Sequence, residues 1–391
     1  MRFPARFGVA GAKVTAVLGA AALVTAVAAA VAGPASAATA TTHDHFHFGA
    51  HHAVFVQTDN TAGNQVVAYH RGHDGALTLA GTYNTGGLGG VLSGSVVDHL
   101  ASQGSLSYDQ RHGLLYAVNA GSNTVTVFAA RGDRLFWRQS VGSGGTFPVS
   151  VAVHGDLVYV LNALNGGSVQ GYRVLFGRLF PIRGSNRSLG LDPTATPQFT
   201  HTPGQVAFSP DGSQLIVTTK ANGNDIDVFG VHIDGRLSAS PVVNSEPNTV
   251  PFGIAFDRSG HLVIANAGTN ALATFELSHG GAVTLLDAVG TGQAATCWVE
   301  PARGTLFASN AGSANISGYQ SGAGGQLTLL GQTATDPGTV DAAASPSGHF
   351  LYVQTGGNGI VDEFRVHDGS LTQVGSVTVA GAVGGEGIVA P

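Results

Sequence analysis

Short apolar runs alternate with polar, glycine-rich breaks along most of this chain, and one phrase recurs. Leu114–Phe128 reads LLYAVNAGSNTVTVF: an apolar run, a polar loop at Asn119–Asn123, then a second run in which Val125, Val127 and Phe128 resume the alternation. Period-two apolar segments joined by a Gly/Asn loop predict two antiparallel strands and their turn. The phrase returns as LVIANAGTNALATF at Leu262–Phe275, LFASNAGSANISGY at Leu306–Tyr319 and LVYVLNALNGGSVQGY at Leu157–Tyr172. It returns again as LIVTTKANGNDIDVF at Leu215–Phe229, LYVQTGGNGIVDEF at Leu351–Phe364 and VFVQTDNTAGNQVVAY at Val54–Tyr69, which makes seven copies.

Each copy sits in a unit of four predicted strands, A to D. Strand A ends in a turn such as Ser209-Pro210-Asp211-Gly212 or Ser345-Pro346-Ser347-Gly348. The recurrent phrase supplies strands B and C, and a turn such as Asp234-Gly235 or Gly324-Gly325 leads to strand D. The B strands end at Thr58, Asn119, Asn162, Thr219, Asn266, Asn310 and Thr355, mostly forty-odd residues apart, the spacing of a four-stranded propeller blade. Two longer intervals place insertions near 85–100 and 183–202. The first copy starts at strand B, and the chain ends in Gly387-Ile388-Val389-Ala390, which resembles strand A at Gly253-Ile254-Ala255-Phe256. The expectation is an all-β, seven-bladed β-propeller over 53–391, with the C-terminal strand completing the first blade. Closure hides two sheet edges that an open β-solenoid would leave exposed.

Residues before 53 read differently. Arg2, Arg6 and Lys13 precede an apolar run at Val14–Ala32, and Ala35-Ser36-Ala37 offers a small-residue cleavage site. This is the pattern of a signal peptide over 1–37, so the expected location is outside the cell after bacterial export. The other reading of the run is a retained membrane anchor. Residues 38–52 form a tail with histidines at 43, 45, 47, 51 and 52. With no Cys or Glu to complete a ligand set, a solvated tail is expected rather than a metal site.

Composition narrows the partners. The 391 residues include 58 Gly and only 10% charged side chains, in keeping with a turn-rich β protein. A net charge of −6 gives no reason to expect a face for nucleic acid or anionic membrane. Cys297 is the sole cysteine, so packing and not a disulfide within the chain must hold the ring. It lies in a predicted A strand beside Trp298 and reads as a packing residue. The Gly290–Thr296 run lacks the following helix of a phosphate loop, and Thr58–Asn64 and Asn222–Asp225 lack an EF-hand register. No metal and no cofactor are implied.

The SPDG-type turns, the LYV strands, the NAG loops, the DGxL turns and the closing strand together resemble the seven-bladed lactonase family, 6-phosphogluconolactonase-like and carboxymuconate-cyclase-like proteins. The NAG loops are also similar to YVTN repeats of secreted propellers. The resemblance spans nearly all of 53–391. It implies hydrolysis or isomerisation of a small sugar-acid-type lactone at the mouth of the central channel. It also implies a Pro-His motif ahead of strand A, but the corresponding residues are Gln103, Val149, Gly204, Phe252, Ala295, Val340 and Glu386, none of them histidine.

Propeller topology puts the B–C loops and the D–A links on one face, around the channel mouth. Polar residues assigned to that face are the candidates. Glu386 or Asp341 is the candidate base, because neighbouring carboxylates raise one pKa. Lys220, the only lysine beyond the signal segment, is the candidate stabiliser of a developing oxyanion. Gln103, His201, Gln205 and Phe252 are the candidate ligand contacts, and His99 lies near Gln103 ahead of blade 2. Two function classes stay open: an exported lactone hydrolase, or a non-catalytic propeller binding a glycan, peptide or wall component. Either would act as a monomer on a small molecule or extracellular ligand, without stable membrane insertion after cleavage.

Overall fold

A computed structural model describes residues 52–391. The expected signal segment, 1–37, and nearly all of the His-rich tail lie outside the described residues. His52, at the tail's end, is exposed and its ring meets that of His73 edge-on at 5.8 Å.

Seven antiparallel sheets form, each a blade with strands in the order A-B-C-D. Blade 1 is the exception in chain order. Its B, C and D strands are Ala53–Gln57, Gln65–Arg71 and Leu77–Asn84, and its A strand is Ile388–Val389 from the chain's end. The expected closure is thus present: Phe55 pairs with Val389 and Val56 with Ile388, and Gln57 N donates to Gly387 O at 2.8 Å. Blades 2 to 7 open with A strands at Leu106–Asp109, Pro148–His154, Val206–Phe208, Pro251–Phe256, Thr296–Ala302 and Thr339–Ala344.

The B strands are buried throughout, because neighbouring blades cover both their faces. That is why they read as continuous apolar runs while the outer D strands alternate. Tyrosines on B strands also tie blades together. Tyr159 Oη donates to Gly235 O in the next blade's C–D turn, and Tyr352 Oη donates to Gly75 O across the closure. The recurrent Asn closes the B–C loop locally: Asn119 Nδ2 donates to Thr124 Oγ1 and Thr126 Oγ1, and Asn310 Nδ2 to Asn315 Oδ1 and Ser317 Oγ.

Both predicted insertions lie on the face that carries the B–C loops. The second holds the one-turn helix Gln198–His201. They meet where Ser93 N donates to Gln198 Oε1 at 3.0 Å and Phe199 N to Ser93 O at 3.3 Å. The first insertion crosses to blade 7. A Cβ on Gly356 would fall 1.7 Å from Val97 O, so only glycine permits that crossing. Among the described residues, no helix is long and apolar enough to span a membrane.

Candidate functional site at the channel mouth

The stretch Asp98–Ser105 enters the channel and plugs it by bonding to blades around the ring. Ser102 Oγ donates to Val149 O and Gly104 O accepts from Val151 N, both in blade 3. Gln103 N donates to Gly204 O of blade 4, and Trp298 Nε1 of blade 6 donates to Ser102 O at 2.6 Å. An irregular segment held this deeply must pair its backbone polar groups, and these bonds serve that need, although His99 Nδ1 is buried without a partner.

Glu386 anchors the plug. Its Oε1 accepts from Gly104 N at 2.9 Å and Ser105 N at 3.4 Å, and Oε2 lies 3.2 Å from Ser102 Oγ. Its own N–H donates to Asp59 Oδ2 at 2.7 Å. The Asp341 carboxyl is hydrogen-bonded to that of Glu386, so the two predicted carboxylates do meet. Burial, with the charge of Asp341 next, pushes Glu386 well above the usual carboxylate range, and burial raises Asp341 as well. Two carboxyls in hydrogen-bond contact hold a proton between them. Both residues are buried under the plug, and neither lines the cavity above it.

That cavity, about 170 Å³, is where the face opens. Its walls are mostly apolar: Phe252, Trp298, Cys297, Phe199, Val97 and Val250 among them. They come from the B–C loops, D–A links and starts of the A strands of blades 4 to 6, and from both insertions. Phe252 and Trp298 meet at 5.1 Å with their rings inclined by 60°. Two charged side chains reach the wall, Lys220 and Asp98.

Lys220 begins a 3₁₀ turn with φ of +52°. Its Nζ donates to Ala101 O and Phe199 O, both at 2.6 Å, and to Thr202 Oγ1 at 3.2 Å. The Thr202 hydroxyl spends its own proton on Gln198 O, so it faces Lys220 as an acceptor. Three acceptors require three N–H groups, which only the ammonium has. Burial pulls the Lys220 pKa down, and the charge of Asp98 opposes that pull. The ammonium also sits 5.1 Å from the centre of the Phe252 ring, within cation–π range.

Asp98 accepts from Leu100 N and Ala101 N through Oδ1, at 2.9 and 2.8 Å, and from Ser102 N through Oδ2 at 3.0 Å. It therefore shapes the plug's first turn. Burial raises its pKa, while the backbone N–H of Ala101 and the charge of Lys220 lower it. Cys297 is half-buried and free, and burial holds its thiol up at about 12, so it carries no thiolate near neutral pH.

The ligand-contact candidates separate. Phe252 lines the cavity. Gln103 is turned down into the channel, bonded to the backbone of Val299. Gln205 accepts from Ile254 N. His201 sits on the outer side of the second insertion, its ring against Thr200 Oγ1 and Pro197 O and outside the cavity wall. His99 is held beside Gly384. Asp98 and Trp298 were not legible as site residues. Asp98 lies in an insertion without periodicity, and Trp298 lies in a strand whose neighbours read as core. Among the described residues, no group of three His, Cys, Asp or Glu side chains is arranged to hold a metal ion.

No protein-family model matches the chain, and no curated protein matches its sequence. Solved structures do match its fold. The periplasmic gluconolactonase of Pseudomonas aeruginosa superimposes with a TM-score of 0.68 at 18% identity, over 86% of this chain and 98% of that one. A candidate 6-phosphogluconolactonase of Bacteroides uniformis gives 0.68 at 18%, over 85% and 97%. One from Bacteroides fragilis gives 0.66 at 17%, over 85% and 96%. Seven four-stranded blades, closure by the last strand and these neighbours together identify the fold as that of the 6-phosphogluconolactonase-like seven-bladed propellers.

Proposed function

We propose that the protein is an exported, lactonase-like hydrolase that admits one small, mostly apolar lactone to the cavity at the channel mouth. The observation that carries this reading is the placement of Asp98: the single carboxylate on a mostly apolar wall that also holds the buried Lys220 ammonium. The carboxylate takes a proton from a water in the cavity, and the resulting hydroxide adds to the lactone carbonyl. The tetrahedral intermediate collapses, the ring C–O bond breaks, and the leaving oxygen receives the proton from Asp98. Lys220 contributes its field, because its three N–H groups are already engaged within the protein. Glu386 and Asp341, the base candidates from sequence, act one layer below by fixing the plug that presents Asp98. No arginine lines the cavity, so a neutral lactone suits it better than a phosphorylated one. Export rests on the charged, apolar and Ala-x-Ala pattern of residues 1–37.

The second reading is ligand binding without turnover. It is favoured by the full hydrogen-bonding of Lys220 and by a cavity wall without histidine. Turnover of a panel of neutral and phosphorylated lactones separates the two. Hydrolysis that falls about a hundredfold or more in Asp98→Asn, with the fold intact, supports the enzyme. Thermal stabilisation by a lactone that is never hydrolysed supports the binder.

A further inference from the structure

The C–D hairpin turns of six blades end in small or polar pairs: Asp74-Gly75, Gly132-Asp133, Asp234-Gly235, Gly280-Gly281, Gly324-Gly325 and Asp368-Gly369. Blade 3 has Phe176-Gly177 instead. Both residues have positive φ, +53° and +70°, as a two-residue hairpin turn of this kind requires. Asn or Asp tolerates that backbone, whereas a bulky aromatic residue is strained there. Phe176 is 92% exposed, so the strain is not repaid by packing. An outlier kept without a folding benefit points to a use for the side chain.

Its surroundings are alike. In the next blade's turn, Ile233 is fully exposed, and on the D strand of blade 2 Trp137 is 59% exposed beside Phe136. The outer strands of blades 2 and 3 are locked side by side: Gln139 Nε2 donates to Leu179 O, and Leu179 N donates to Gln139 Oε1. Arg134, Arg138 and Arg178 are exposed on the same two strands. Between 131 and 187 the chain has seven arginines against two aspartates, although its net charge is −6. The overall charge thus averages away a basic sector.

We propose that the outer strands and C–D turns of blades 2 and 3, with the adjoining turn that carries Ile233, form a peripheral docking surface for an anionic lipid bilayer. Phe176 and Ile233 enter the interfacial layer, and the flanking arginines pair with lipid phosphates. Charge complementarity selects an anionic partner. Protruding apolar tips select a penetrable one, since a polysaccharide is gripped in concave aromatic grooves. Association of this kind is reversible and inserts no strand.

The chain has two tryptophans, and Trp298 is buried. In a Trp298→Phe background the fluorescence reports Trp137 alone, and so reports this face and not the N-terminal apolar run. The full chain is mixed with vesicles of phosphatidylglycerol and phosphatidylcholine, with vesicles of phosphatidylcholine only, and with soluble polyphosphate. The expected result is a blue shift and co-sedimentation with the anionic vesicles only, weakened in about 0.5 M NaCl. Adding Phe176→Asn and Ile233→Ser should weaken partitioning by about tenfold with melting unchanged, because Asn accepts the turn's backbone. No shift of Trp137 on anionic vesicles, a shift unaffected by the two substitutions, or an equal shift with polyphosphate would each overturn the proposal.

Discussion

Gln103 stands in for a missing strand partner of Val299. Its Nε2 donates to Val299 O at 2.9 Å, and its Oε1 accepts from Val299 N at 3.2 Å. The side-chain amide pairs as a peptide group would, linking the plug ahead of blade 2 to strand A of blade 6 through the channel. This occupies both polar ends of a residue that sequence position made a ligand candidate.

Gln103→Met keeps the length of the side chain and loses both bonds, leaving the Val299 backbone unpaired in a buried site. The expected cost is roughly 2–5 kcal/mol, from the desolvation of two orphaned groups. Denaturant melts of the variant check it, and an unchanged midpoint would mean that the pairing contributes nothing.

Lys220→Met should cost roughly 2–5 kcal/mol, since it leaves the buried Ala101 O and Phe199 O unpaired and removes the charge that favours the Asp98 carboxylate. The same measurement applies. A loss of turnover without a loss of stability would instead make Lys220 a group that touches substrate.

Stability should fall as pH rises through the neutral range. Burial pushes Asp59 up to about 7 and Glu300 up to about 8. From about pH 4 upward the unfolded chain has released these protons while the folded chain keeps them. The folded state then binds more protons, so these two groups make the slope of unfolding free energy against pH negative up to about pH 8. Calorimetry should give a higher melting temperature at about pH 5 than at about pH 8, and Glu300→Gln should flatten the upper part of that slope. A melting temperature that rises with pH would contradict it.

Deleting Gly384–Pro391 removes strand A of blade 1 and the Glu386 carboxylate together. The first blade is left with an open edge, and the plug loses its anchor. Aggregation or a large drop in melting temperature is expected. A truncated protein melting like the full chain would refute this account of closure.

The sequence by itself determined the architecture, because blades are written in local terms. Period-two apolar runs, Asn/Gly loops and D-G or G-G turns each act within a few residues, so Leu114–Phe128 and its six relatives specify hairpins wherever they occur. Counting them yields seven blades, and the leftover strand at Ile388–Val389 yields the closure. The same reasoning put Lys220 and Phe252 on the correct face. Only the tertiary structure decided what that face contains. Asp98 and the plug come from an insertion without period, and their partners lie far away in the chain: Glu386 with Ser102, Gln103 with Val299, Lys220 with Ala101. The basic, aromatic sector around Phe176 was likewise hidden in an overall negative charge. Such contacts follow from the curvature of the ring, which brings remote strands to one axis or one rim, and no local pattern of residues encodes that meeting.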